Sequence, residues 1–299
     1  MPTEPMPSDA PTDSTGIFEQ QRSTLVGAAY RILGSRVEAE DVVQEAWIRW
    51  SEVDHDTVEN PRAYLLTVTS RLALNRVRHL ATRRESYVGP WLPEPVATSP
   101  DPRADGAAAA QLADEVSMAM LIVLESLSPL ERAAFVLTEV FGMAAPEVAE
   151  ALDRSPAAVR QLVHRARSHV EARQPRQTVD VERHRQVTER FIAAAGGGDV
   201  EALMQVLAPD IVLITDGGGI KQAALRPIHG SDKVLRWLIG VLGTPEGAAA
   251  EYALRQVNGE TAIVATAPDG VDSVIFLTVE DDRITALHAI LNPEKLGAV

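Results

Sequence analysis

Two serine–proline steps frame the stretch that most constrains how this chain can fold. Ser128-Pro129 is followed by Glu131, a capping box with proline in the first helical turn. ERAAFVLTEVF then keeps helical apolar spacing until Gly142 breaks it. APEVAEAL reads as a short second helix ending at Asp153, and Ser155-Pro156 opens a third, AAVRQLVHRARSHVEAR. Helix, glycine turn, short helix, three-residue turn and longer basic helix is a helix-turn-helix pattern. The position before the second helix is Ala144, so a side-chain cap worth ~1 kcal/mol is missing there.

Charge narrows the role of that unit. The 299 residues hold 28 basic and 42 acidic side chains, net −14, so bulk charge does not mark a nucleic-acid binder. The distribution differs. Asn60 to Arg84 contains six Arg and no acid, and Arg154 to Arg173 contains five Arg and the single acid Glu171. All three Lys follow residue 220. Two arginine-bearing helices thus sit in an acidic chain, and guanidinium forks suit phosphates and guanine edges. The bland alternative for each is a solvated face. Cysteine is absent, which excludes disulfides, Cys-ligated zinc, iron–sulfur clusters and Cys nucleophiles. No apolar run approaches membrane-spanning length. Residues 1–16 hold four Pro, three acids and no Lys or Arg, unlike a signal peptide. They are expected to be a disordered tail of a cytoplasmic protein.

Composition divides the rest. Residues 17–88 read as helices: IFEQQRSTLVGAAYRILGS ends at Gly34, Ser35 with Glu38 caps EAEDVVQEAWIRW, and Pro61 opens a long helix. Residues 89–112 are a proline-rich, then alanine-rich linker. Residues 113–173 are helical again. From about 178 to 297 two helices precede apolar runs of strand length, IVLIT, TAIVATA, VDSVIFLTV and ITALHAIL, separated by the turn signals DGGG, PDG and EDDR. This predicts an α+β domain, helices first and then an antiparallel sheet.

Taken in order, these segments resemble the extracytoplasmic-function (ECF) sigma factors of bacterial RNA polymerase. GSRVEAEDVVQEAWIRW, with Ala39-Glu40-Asp41, Gln44-Glu45 and Trp47, is similar to their polymerase-binding helix. NPRAYLLTVTSRLALNRVRHLATRRE resembles the segment that reads the −10 promoter element. LSPLERAAFVLTEVFGMAAPEVAEALDRSPAAVRQLVHRARSHV resembles the domain that reads the −35 element. WLPEP in the linker, DGGG with RPIHG, and NPEKL resemble signatures of a subgroup carrying a fused, cone-shaped SnoaL-like (NTF2-like) domain. The resemblance departs in three places: Ala144 stands where Ser or Thr is usual before the second helix of the last sigma domain, many members carry Asn where Arg71 stands, and the subgroup's Lys directly after DGGG is Ile220, with Lys221 one later.

The resemblance implies a multidomain protein of two all-α sigma domains and an α+β SnoaL-like domain. It also implies partners and sites. Core RNA polymerase, through its β′ clamp and β flap, and promoter DNA are the expected partners. Glu40, Asp41, Gln44, Glu45 and Trp47 would face polymerase, where an acidic surface suits a basic clamp. Asn60, Arg62, Arg71, Asn75, Arg78, Arg83 and Arg84 would serve the −10 element. Arg71, Asn75 and Arg78 share one helix face by spacing, and the polar loop from Asp54 to Asn60 could pocket an unstacked base. On the helix opened by Ser155, the residues Ala157, Arg160, Gln161, His164 and Arg165 would meet the −35 element, with Arg160 and Arg165 suited to guanine, Gln161 to adenine and Arg167 to phosphate.

Trp91, Asp216, Asn292, Lys295 and Leu296 are the candidate regulatory contacts between the third domain and the rest. An exposed Trp in an extended segment is expected to dock on something. The same domain offers Asp216, His229 and His288 as candidates for acid–base chemistry, but an Asp opening DGGG is commonly structural. A lone His288 in TALHAIL is more often a strand residue. The reading is therefore a monomeric sigma factor without catalysis, metal or cofactor, regulated by its own third domain. A small ligand in that domain is one alternative. A metabolite-sensing helix-turn-helix regulator is another, but it would not need the acidic 38–50 helix or the −10 segment.

Overall fold

The computed structural model describes residues 14–98, 117–173 and 180–299, and of 81–85 the backbone alone. The expected tail before Ser14 and the distal linker, 99–112, lie outside the described residues.

The first unit is α1 (Ser14–Leu33), α2 (Arg36–Ser51) and α3 (Pro61–Glu85). Gly34, at φ 70°, ends α1, and Ser35 caps α2 by accepting from the Glu38 amide. The helix begins at Ser14, three residues before the expected start at 17. That extra turn is anchored: the Trp50 indole nitrogen donates to the Ser14 carbonyl at 2.9 Å. Trp50 is fully buried, with Leu25, Ile32, Leu65 and Leu66.

The second unit is α4 (Met118–Glu125), α5 (Pro129–Phe135), α6 (Ala145–Leu152) and α7 (Pro156–Arg173). The Ser128 capping box forms as the sequence predicts. The helix expected through ERAAFVLTEVF changes to a π turn over Val136–Val140, which keeps Val136 and Leu137 buried while Glu139 and Val140 turn outward. Ala144 supplies no side-chain cap, but Glu147 accepts from the Ala144 amide at 2.7 Å, so half of the capping box survives. Asp153, at φ 52°, ends α6 in the left-handed conformation.

The third unit places α8 (Val181–Gly197) and α9 (Val200–Val206) before β1 (Leu207–Asp216). Then follow β2 (Ile228–His229), α10 (Ser231–Leu242), α11 (Pro245–Ala249), β3 (Glu251–Val257), β4 (Glu260–Ala267), β5 (Gly270–Glu280) and β6 (Arg283–Ile290). The sheet runs β2-β1-β6-β5-β4-β3. The fold class is the expected one, with two corrections. The sheet is mixed: β1 pairs β6 in parallel, Leu213 opposite Leu287 and Asp216 opposite Ile290. Helices α10 and α11 also interrupt the strands instead of preceding them.

The apolar runs have a physical cause in this packing. Val264, Val274, Phe276 and Ile290 join a core continuous with the sigma helices and with Leu92 and Val96 of the linker. Their neighbours Ile263, Leu277 and Leu287 face a second core with α8, α9 and α10. Both sheet faces are covered, so β4, β5 and β6 read as near-continuous apolar segments.

Candidate nucleic-acid interface and interdomain latch

Helix α7 presents its early residues to solvent. Ser155 accepts from the Ala158 amide at 3.2 Å, fixing the helix start. Ala157, Arg160, Gln161, His164, Arg165 and Arg167 are exposed, while Val159, Leu162, Val163 and Ala166 are buried against the rest of the unit. Arg165 pairs with Glu131 at 2.8 Å and Arg167 with Glu139 at 2.7 Å. Both pairs are largely exposed, where such contacts are worth about 0–1 kcal/mol, so neither locks its guanidinium in place.

On α3, Asn60 is the cap: its side chain accepts from the Ala63 amide at 3.1 Å. Arg62, Asn75 and Arg78 are exposed, and Arg78 donates to Asn75 at 3.0 Å. Arg71 is turned toward the second unit. It donates to the carbonyls of Glu150 at 2.6 Å and Ala151 at 3.2 Å, capping the C-terminal end of α6. The side chains of Arg83 and Arg84 lie outside the described residues. The loop before α3 is not open chain: it makes a 3-10 turn over His55–Thr57, with the His55 ring 3.0 Å from the Trp50 carbonyl oxygen.

Helix α2 holds its acids in local pairs, Glu40 with Arg36 at 2.8 Å and Glu45 with Arg49 at 2.7 Å. Asp41 lies 3.6 Å from Arg76, which also pairs with Glu38. Gln44 is exposed, and Trp47 is half-buried, edge-on to Phe18.

The proximal linker, 87–98, is a strap held on both sides. Toward the first unit, the Glu94 carboxylate accepts from Ser35 Oγ and the Arg36 amide, each at 2.9 Å, and the Glu94 amide donates to the Gly34 carbonyl at 2.8 Å. Burial pushes the Glu94 carboxyl above its ordinary range. Toward the third unit, the Val96 amide donates to Asn258 Oδ1 at 2.9 Å and the Asn258 amide to the Val96 carbonyl at 2.8 Å. Asn258 Nδ2 donates to Tyr30 Oη at 2.9 Å, and Tyr30 donates to the Glu94 carbonyl at 2.6 Å. One chain of hydrogen bonds therefore crosses from α1 through the strap to the β3–β4 turn.

The regulatory candidates meet at one end of this strap. Asp216, at the end of β1, is fully buried. Its carboxylate accepts from Lys295 Nζ at 2.7 Å, the Leu92 amide at 2.8 Å, the Gly218 amide at 3.2 Å and Tyr87 Oη. Lys295 is not among surface acids, as an exposed latch would require. It is buried, donates to the Leu92 carbonyl at 2.6 Å, and places its ammonium 3.1 Å from the centre of the Trp91 ring. Asn292 donates to Tyr87 Oη at 2.9 Å, and Leu296 joins the shared core. Gly218 has φ 63°, and a Cβ there would enter the Asn292 side chain. Lys221 instead pairs with Asp272.

The acid–base candidates stand in different settings, with His229 exposed on β2 opposite Val212. Asp216 is enclosed by its four donors. Burial lowers His288 to about 4, so its ring is neutral near pH 7. Tyr30, Tyr87, Glu94, Arg132 and Asn258 were missed by sequence reasoning. Only Asn258-Gly259 carries a local signal, as a turn dipeptide. Arg132 shows what was hidden: it is buried, forks onto Glu125 at 2.7 and 2.9 Å, and donates to the Ile32 carbonyl of α1 at 2.9 Å.

A three-helix unit with an arginine-bearing long helix, strapped to a helix-turn-helix and an α+β domain, is the build of a promoter-reading transcription factor. Family models agree: Sigma-70 region 2 matches residues 17–83 and Sigma-70, region 4 matches residues 117–170. The ECF RNA polymerase sigma factor SigJ of Mycobacterium tuberculosis is 40% identical over 287 residues, covering 93% of this chain and 91% of SigJ. The probable ECF RNA polymerase sigma factor SigI from the same species is 33% identical over 281 residues, covering 93% of both proteins. A crystal structure of SigJ superposes with a TM-score of 0.74 at 38% identity, covering 94% of this chain and 97% of that one. The chain belongs to the ECF RNA polymerase sigma factors. It binds RNA polymerase and promoter DNA and directs transcription initiation, and the free-standing metabolite-sensing regulator is the less favoured reading.

Proposed function

We propose that the third domain of this sigma factor holds the two sigma domains in a compact state that does not read promoters. Opening on core polymerase would then activate it. The observation that carries this reading is the buried Lys295–Asp216 pair, which joins the C-terminal segment, β1 and the strap in one enclosed cluster. A second observation agrees with it: Arg71, a −10 candidate, is engaged on α6 in the compact arrangement. Opening releases Arg71 to join Arg62, Asn75 and Arg78 on the −10 element, and frees α7 to place Arg160, Gln161, His164 and Arg165 in the −35 major groove. The acidic face of Glu40, Asp41, Gln44 and Glu45 meets the β′ clamp, and the second unit meets the β flap. The protein works as a cytoplasmic monomer without chemistry of its own; the polymerase makes the bonds.

Runoff transcription with core polymerase tests this. The full chain is compared at equal concentration with a chain trimmed of residues 292–299 and with one ending at Arg173. The reading requires the short truncation, if folded, to transcribe more than the full chain. Equal activity of a folded short truncation refutes the latch, and equal activity of all three removes the third domain from regulation.

A further inference from the structure

The turn signature RPIHG plays no part in the latch, yet it sits beside it. Ile228 and His229 form β2, and the Gly230 amide donates to the Ile211 carbonyl at 2.8 Å, so the hairpin fixes where Arg226 and Pro227 stand. These two residues line a cleft of about 480 Å³. Its other walls come from all three parts of the compact form: Pro90, Trp91 and Pro93 of the strap, Ile122 and Glu125 of α4, and Ile214 and Leu225 of the third unit. The volume falls in the range of small-molecule sites, roughly 300–1,000 Å³.

The lining has one chemistry. Most of it is apolar, and Leu225, 65% exposed, carries that character to the surface. A large apolar side chain left this exposed on the wall of a cleft gains from being covered. The charges are unequal. Glu125 is neutralised by its fork onto Arg132. Arg226 is exposed, and no ion pair engages it among the described residues. The cleft therefore presents an apolar body with a net positive group at its mouth, and a guanidinium there favours a carboxylate.

We propose that this interdomain cleft binds a small monocarboxylate with an apolar body, of the size and character of a medium-chain fatty acid. Arg226 takes the carboxylate, while Trp91, Ile122, Ile214 and Leu225 cover the chain. The ligand touches α4, the strap and the third unit together, a set of walls present only when they are docked. Its binding therefore favours the compact state by mass action. That consequence rests on the compact state being the inactive one; the site itself does not.

The test uses the full chain and decanoate as the probe, with 1-decanol as its neutral counterpart, both titrated calorimetrically. Decanoate should bind saturably, Arg226→Gln should weaken it at least tenfold, and decanol should bind the two proteins alike. Arg226 is exposed, so the variant is expected to fold, and circular dichroism checks it. No saturable decanoate binding up to millimolar concentration overturns the proposal, as does equal binding by Arg226→Gln. Runoff transcription is the separate arm. Decanoate should lower the activity of the full chain and not of Arg226→Gln. Arg226-dependent binding with unchanged transcription would uphold the site and refute its link to the compact state.

Discussion

Replacing Lys295 by Met removes a buried charge while keeping an unbranched stem beneath Trp91. The interactions that go include the pair with Asp216 at 2.7 Å, the bond to the Leu92 carbonyl at 2.6 Å, and the cation over Trp91 at 3.1 Å and over Tyr87 at 5.2 Å. Removing one partner of a buried pair commonly costs about 3–5 kcal/mol, because the other charge is left uncompensated. Here Asp216 keeps Tyr87, the Leu92 amide and the Gly218 amide as donors. The lower end, about 3 kcal/mol, is therefore expected, and at 1.4 kcal/mol per factor of ten this is roughly a hundredfold shift toward the open strap. Hydrogen exchange reads that shift directly, since the Leu92 amide donates to Asp216 across the closed strap. Peptides covering 87–98 should exchange about a hundredfold faster in Lys295→Met, with α8 and β5 unchanged. Asp216→Asn should have a similar effect, and the double variant should fall short of the sum by about 2 kcal/mol or more, as for contacting residues. Unaltered exchange over 87–98, or strict additivity, would show that the pair does not hold the strap.

Gly218→Ala should destabilise the folded chain by about 2 kcal/mol or more, from positive φ and the clash with Asn292; a calorimetric Tm equal to the parent's contradicts this. Glu94 is held above its ordinary 4.5 by burial. Its protonated form is thus the one folding favours, so its contribution is complete below the unfolded value and lost as pH rises through the folded one. Strap protection should fall as pH climbs from about 4.5, and Glu94→Gln should flatten that fall. A pH profile unchanged in Glu94→Gln would discard the assignment. Arg160→Ala should weaken −35-dependent initiation by roughly 1–3 kcal/mol if it is bidentate to guanine. That loss should shrink on promoters altered at the contacted base, and no loss in runoff yield would leave Arg160 a surface decoration. With net charge −14, the free protein should bind promoter duplex weakly and gain specific, salt-sensitive binding with core polymerase; tight binding alone, by gel shift at physiological salt, would count against it.

The helical half was legible because its signals are local. Ser35, Ser128 and Ser155 cap helices where a cap was read, since each needs only partners two or three residues away. The sheet was less so. β3 escaped because EYALRQV is an edge strand with its outer residues exposed, and the parallel pairing of β1 with β6 has no mark in either segment. Trp91, Asp216, Asn292 and Lys295 were grouped only by resemblance; that they share one buried cluster depends on contacts up to 205 residues apart. Tyr87 and Tyr30 gave no pattern at all, and Glu94 was seen only as a letter of WLPEP, without its partners Ser35 and Arg36. Each is an ordinary side chain made important by a partner far away in the chain, and no periodicity reports that.

The strap has a consequence for how the protein is made. Its groove on the first unit exists as soon as α1 and α2 fold, but Lys295 is 203 residues downstream of Leu92. At translation rates of 5–20 residues per second this separation lasts roughly 10–40 s. α3 is finished throughout that interval and α7, complete at Arg173, for its later part; until Lys295 arrives, contacts within the helical half, such as Arg71 on α6 and Arg132 on the Ile32 carbonyl, are what can hold them. The buried cluster that closes the strap can therefore assemble only once Lys295 has been delivered to Asp216 and the Leu92 carbonyl.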